Sequence, residues 1–183
     1  MKKTILYTLF LVLFILIVVG IKKTTRTSTL RIDKTNFFIA DTSSIIKVVI
    51  ENRNLDKILL ERDAKRKQWQ LNDSIKANQY SINLLLKTIK EMRVKTPIAR
   101  SALENVIKRM AVQHTKVEFF NRKDKIKTIY IGGETMDQLG TFMMIEGATE
   151  PYIVHIPGFN GYLSSRFSCQ ETTWKSKQIF HNI

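Results

Sequence analysis

The chain has 183 residues, 30 lysines and arginines against 16 aspartates and glutamates, a net charge of +14, one cysteine and three histidines. One cysteine excludes an internal disulfide, and His114, His155 and His181 are scattered, with no two at metal-ligand spacing. No nucleic-acid motif frames the basic residues, so the surplus points to anionic lipid or an acidic partner, or more plainly to a solvated basic surface.

Residues 5–21 (ILYTLFLVLFILIVVGI) hold no charge, with Lys2 and Lys3 before them and Lys22 and Lys23 after. A membrane-spanning helix needs about 17 to 20 apolar residues. The run therefore predicts a signal-anchor helix over residues 1–23, with Ile5, Leu11, Phe14 and Ile21 in the bilayer. A cleaved export signal is the alternative, with Val18 and Gly20 as small residues before the cut. Lys22 and Lys23 would then open the mature chain, which argues against it. A buried core helix would show more polar residues than Tyr7 and Thr8. Lys22, Lys23, Arg26 and Arg31 would sit at headgroup level, where each basic residue is worth about 1 kcal/mol of attraction to anionic lipid. Counting those charges favours a cytoplasmic bulk, whereas the short Lys2-Lys3 tail has the shape of a signal-anchor that exports the rest of the chain. The second orientation is the expectation here.

Residues 24–36 are polar and Thr-rich and predict a stalk. Residues 37–183 form the expected domain, about 150 residues and enough for one core. The β-branched run at 45–50 (IIKVVI), turn residues at 51–54 and an apolar run at 58–60 predict a hairpin. Trp69-Gln70-Leu71-Asn72 alternates and predicts a third strand. From Asn78 to about Arg93 the period changes: Ile82, Leu85, Leu86, Ile89 and Met92 share one helical face. Pro97 ends that run. Ser101 with Glu104 forms the pattern of a capping box, opening a second helix whose stripe is Leu103, Val106, Ile107 and Met110. Short β-type runs follow at 116–120, 127–131, 141–145 and 152–156. Gly132-Gly133, Gly140 and residues 147–151 punctuate them as a meander. The expected class is α+β, an antiparallel sheet with two packed helices, preceded by one N-terminal transmembrane helix.

The order of these pieces resembles domain-of-unknown-function family 4340. It is carried by the hairpin, Trp69-Gln70-Leu71-Asn72, Leu84-Leu85-Leu86-Lys87-Thr88-Ile89, Asn105-Val106-Ile107-Lys108-Arg109, Lys116-Val117-Glu118 and Tyr130-Ile131-Gly132-Gly133. The closing run adds Gly140-Thr141-Phe142-Met143-Met144, Pro151-Tyr152-Ile153-Val154-His155-Ile156-Pro157-Gly158-Phe159, Gly161-Tyr162-Leu163 and Arg166-Phe167. The match spans roughly residues 37–180. The resemblance implies a bacterial envelope protein, single-pass in the inner membrane, with its domain facing the periplasm. It implies no catalytic residue, because none is established for the family.

The residues themselves point to no chemistry. Gly132-Gly133-Glu134 lacks the lysine of a phosphate loop and predicts a hairpin turn. His155 sits mid-strand, and the expectation is no metal and no cofactor. Glu134, Asp137, Glu146 and Glu150 lie near glycine-rich turns and are expected at the surface rather than as an acid/base pair. Cys169 is expected as a small, core-filling or half-buried residue. Residues 156–167 (IPGFNGYLSSRF) are the one candidate contact. Phe159, Tyr162, Arg166 and Phe167 with two glycines give an aromatic and arginine composition enriched at binding hot spots, unless the aromatics simply lock the loop to the core. The expected function is a non-catalytic, membrane-anchored envelope protein that binds a protein partner as an accessory subunit, with no nucleic acid. A domain for an acidic envelope component (lipid headgroup, glycan or peptidoglycan fragment) is the alternative, and a hydrolase assembled from distant loops a remote one.

Overall fold

The computed structural model describes residues 35–63 and 68–177. The anchor residues Ile5, Leu11, Phe14 and Ile21, the headgroup residues Lys22, Lys23, Arg26 and Arg31, and most of the stalk lie outside these. Among the described residues no helix is long and apolar enough to cross a membrane.

Nine strands form one antiparallel sheet: β1 (Lys47–Asn52), β2 (Lys57–Arg62), β3 (Trp69–Leu71), β4 (Ile75–Lys76), β5 (Arg93–Pro97), β6 (Thr115–Phe120), β7 (Lys125–Glu134), β8 (Thr141–Ile145) and β9 (Tyr152–His155). Three helices accompany it: α1 (Gln79–Glu91), α2 (Arg100–Val112) and the single turn α3 (Glu171–Trp174). The strand order is β4-β3-β2-β1-β6-β7-β8-β9-β5. The expected α+β class with an antiparallel sheet is what is found.

The alternation of each strand divides the apolar residues between two faces. Val48, Ile50, Leu60, Val117, Phe119 and Ile131 face one way and are at most 2% exposed. They pack with Ile82, Leu85, Ile89 and Met92, the expected stripe of α1. Each such side chain contributes about 1.5–3 kcal/mol on burial. Asn78 starts α1 by accepting from the Tyr80 amide (3.0 Å). At the other end Arg93 donates to the Lys90 and Met92 carbonyls (2.8 Å each). On the opposite face α2 covers the β7–β9 side, with Val106 and Met110 against Tyr130, Phe142, Met144 and Ile153.

Three local expectations need correction. Gly132-Gly133 is not a turn but part of β7. A Cβ at Gly132 would lie 2.9 Å from Met110 Cγ, so the glycine makes room for α2 to approach the sheet. The turn comes later, where Asp137 accepts from Thr135 Oγ1 and the Leu139 amide. The Ser101–Glu104 capping box does not form. The helix already starts at Arg100, and its first amides, Ala102 and Leu103, both donate to the Ala99 carbonyl. Glu104 instead pairs with Lys108 at 2.7 Å. Pro97, expected to end the α1 run, lies instead in the edge strand β5 beside β9, the helix having already stopped at Glu91. Lys95, Pro97 and a bulge between Val94 and Thr96 discourage further pairing along that edge.

The described chain enters the domain through a firm contact. Phe37 is 1% exposed, and Lys127 Nζ donates to the carbonyls of Asn36 (2.5 Å) and Phe38 (2.7 Å). The Ile39 amide donates to Ile89 O at 3.0 Å.

Candidate functional site

The register gathers separate segments at one end of the sheet. Asn52 pairs with Thr115, Thr115 with Ile131, Glu134 with Thr141, and Thr141 with Val154. The β1–β2 turn, the α2–β6 junction, the β7–β8 turn and the loop after β9 therefore meet there.

That last loop holds the four residues singled out by composition. The Thr141 hydroxyl, fully buried, accepts from the Leu163 amide at 2.7 Å and pins the loop to β8. A 3-10 turn at Ser164–Phe167 then sends Leu163 (0% exposed) and Phe167 (1%) into the core. Phe167 thus packs inside and drops out of the surface set, because the turn points it the same way as Leu163. Phe159 and Tyr162 face outward, each 37% exposed. Arg166 is half-buried between the two groups. Its Nη1 donates to Thr88 Oγ1 (2.9 Å), and its guanidinium lies 4.4 Å from the Phe159 ring centroid. Burial pushes the guanidinium below its ordinary value, against the opposing pull of Glu91 and Tyr80. A Cβ at Gly161 would come 2.9 Å from the Phe159 ring, so the ring lies over a position that only glycine leaves open.

Phe159 and Tyr162, with Leu139 of the β7–β8 turn, line a cleft of about 460 Å³. A second groove of about 610 Å³ runs between the β1–β2 turn and the C-terminal end of α2, past Arg53, Arg109, His114 and Glu134. A third hollow joins them, sharing Tyr162 and Ser165 with the first and Asn52, Thr115, Glu134 and Ser164 with the second. Among the described residues eight large hydrophobic side chains are exposed, and six stand at this end: Leu55, Val112, Met136, Leu139, Phe159 and Tyr162. The other two are Tyr80 and Ile107. The sequence pattern marked only the last two of the six. The overlooked signal was an apolar residue inside a polar turn, as in Asn52-Arg53-Asn54-Leu55-Asp56 and Glu134-Thr135-Met136-Asp137.

The titratable residues are mostly occupied locally. Asp137 is held below the usual carboxylate range, first by Thr135 and then by the Leu139 amide. Glu146 is lowered mainly by Lys125, which it meets at 2.9 Å at the opposite end of the sheet. Glu150 pairs with Arg100 there at 3.2 Å. Glu134 stays exposed at the grooved end. His114 Nδ1 lies 2.8 Å from the Met110 carbonyl, with its ring edge-on to Tyr130. Burial first, then Lys95, lowers His155 below the ordinary imidazole value. Cys169 is half-buried, and burial followed by Asp56 and Glu51 raises its thiol, which keeps the nucleophilic thiolate scarce. Among the described residues no three His, Cys, Asp or Glu side chains are grouped to hold a metal.

Charge is unevenly placed along the chain. Seven basic residues oppose Asp33 alone within residues 1–34, and Lys65, Arg66 and Lys67 stand together, whereas the described residues carry 20 basic against 15 acidic side chains. No protein-family model, no curated protein and no solved structure matches the chain. The resemblance to domain-of-unknown-function family 4340 therefore stands on the order of its residues alone.

Proposed function

We propose that the chain is a non-catalytic, membrane-anchored envelope module that binds a protein partner through the grooved end of its sheet. The supporting observation is the gathering there of exposed apolar side chains from four separate segments, around the cleft of Leu139, Phe159 and Tyr162. Isolated exposed apolar residues need no explanation, but Leu139, Phe159 and Tyr162 share one cleft, and exposed apolar groups gathered beside polar ones are what binding surfaces carry. Aromatic residues with a nearby arginine add the anchor chemistry of such surfaces. Membrane attachment and the periplasmic orientation of the bulk rest on the apolar leader and on the family resemblance. The alternative, an acidic envelope ligand, rests on the basic surplus. Much of that surplus belongs to residues 1–34 and 65–67, so it supports headgroup contact at the leader more than a ligand site on the domain.

The test is site-specific photocrosslinking in the native membrane, with a photoreactive residue replacing Tyr162 or, as control, Tyr80. A discrete adduct from position 162 and none from 80 supports the proposal. No adduct, or the same adducts from both, overturns it. Attachment is tested separately: the full-length chain stays with vesicles after alkaline carbonate washing, and a C-terminal alkaline phosphatase fusion is active. Extraction by carbonate or an inactive fusion overturns that part.

A further inference from the structure

We infer that the groove between the β1–β2 turn and the end of α2 receives an extended polypeptide segment carrying a carboxylate beside an apolar side chain. Arg53 and Arg109 take the carboxylate, and Leu55 and Val112 take its apolar neighbour. This rests on the protein-binding proposal and gives its partner a chemistry.

The first observation is backbone strain without a packing reason. Leu55 has φ +66°, the left-handed region, and is 77% exposed. Branched side chains are disfavoured there, and glycine or asparagine is the usual occupant. Asn72 and Asp73, also at positive φ, are the residue types such turns prefer. A leucine kept in that conformation, with its side chain in water, gains nothing for the fold. An outlier of this kind points toward function. Val112, 75% exposed, lines the groove, and Leu55 directly follows Arg53 and Asn54, which line it too.

The second observation is charge. Lys95, Arg100, Lys108, Lys116 and Lys125 each have a carboxylate within 4.0 Å. Among the described residues Arg53 and Arg109 have none; Lys57, Lys87 and Arg122 are among others that lack one too, but of these five only Arg53 and Arg109 line the groove. Arg109 Nη2 lies 3.6 Å from where a Gly133 Cβ would be, so its guanidinium rests close over β7. A planar guanidinium so placed suits two-point binding of a carboxylate. Asn54 and Gln113 beside it supply amides for a peptide backbone.

A protein segment suits this groove better than a lipid surface. Glu134 lines the groove, and Asp137 adjoins the fully exposed Met136. Carboxylates among the apolar tips repel anionic headgroups, whereas a polypeptide can place a basic residue against Glu134.

The experiment pans the purified full-length chain, in mild detergent, against a phage-displayed random-peptide library. One enriched peptide is then synthesised and its affinity measured by fluorescence anisotropy. Enriched peptides are expected to share Asp or Glu next to an aliphatic or aromatic residue. Arg53→Gln with Arg109→Gln should weaken binding at least about tenfold. Leu55→Asn should weaken binding while raising the thermal midpoint, which a merely structural leucine would not do. Enriched peptides without an acidic residue, affinity unchanged in the double arginine variant, or a lower midpoint in Leu55→Asn overturn the inference. So does dimerisation of the chain that Leu55→Asn abolishes, or a larger blue shift of a fluorophore at Leu55→Cys (in a Cys169→Ser background) with phosphatidylglycerol vesicles than with peptide. Peptides sensitive to Tyr162→Ala but not to the arginine pair overturn the groove and leave the protein-binding proposal standing. No enrichment, together with no crosslink from position 162, overturns both.

Discussion

The two ends of the sheet are built from the same kind of turn and differ in what the turns carry. At one end Asn121 closes the β6–β7 turn by accepting from the amides of Lys123 and Asp124. Lys125 there bridges Glu118 and Glu146, and Arg100 meets Glu150. Asn121 suits the turn it closes, and Lys125 and Arg100 each meet a carboxylate. At the other end Leu55 occupies a conformation that suits asparagine, Met136 is fully exposed, and Arg53 and Arg109 line an open groove. Natural sequences depart from local rules mainly where something other than folding selects the residue. The first end follows those rules, and the proposed binding role would account for the departures at the second.

The sharpest way to break this contrast lies within the grooved end itself. Phe167→Ala empties a core site and should cost about 3–5 kcal/mol by urea unfolding, whereas Tyr162→Ala should stay within about 0.5. Equal losses would mean that the loop has no outward side. Gly132→Leu forces α2 away from β7, because even a Cβ there meets Met110 at 2.9 Å and the Phe142 carbonyl at 3.1 Å. About 1–3 kcal/mol should be lost in the same assay. Leu55→Asn should gain up to about 1 kcal/mol by relieving the left-handed leucine, read as a higher melting temperature.

The paired end should show itself through acid. Lys125 holds the folded pKa of Glu146 below its unfolded value. That contribution is complete above the unfolded glutamate range and is lost as pH falls through the lowered folded value. Both side chains are more than a third exposed, so solvent screening keeps it under about 1 kcal/mol. Lys125→Met should flatten the acid limb of the stability profile, measured by unfolding across pH. The smallest effect is expected for Met136→Gln, within about 0.5 kcal/mol in stability. A larger loss would show Met136 serving the fold.

Much of the architecture was written in periodicity. The stripe of α1, the alternation of β3 and the β-type runs of β1, β6 and β8 depend on residues near in sequence, which one chain displays directly. The misses share a cause in long-range contact. Gly132 looks like a turn until Met110, twenty-two residues earlier, is placed above it. β5 has only Val94 to pack against the core and becomes a strand because β9 lies beside it. Composition identified the loop after β9 but could not separate Phe159 and Tyr162 from Phe167, since the 3-10 turn decides which way each points. The groove was invisible because Arg53 and Arg109 come to line one hollow only once β1, α2 and β7 are in register.

The clasp of Lys127 on the Asn36 and Phe38 carbonyls has a mechanical consequence. A tug on the polypeptide ahead of Thr35 is delivered near the start of β7, a strand flanked by β6 and β8, rather than to an edge strand that could peel. Lys127→Met should therefore lower the force at which the domain gives way when drawn from its N-terminal side, while leaving resistance to a pull from the other terminus nearly unchanged.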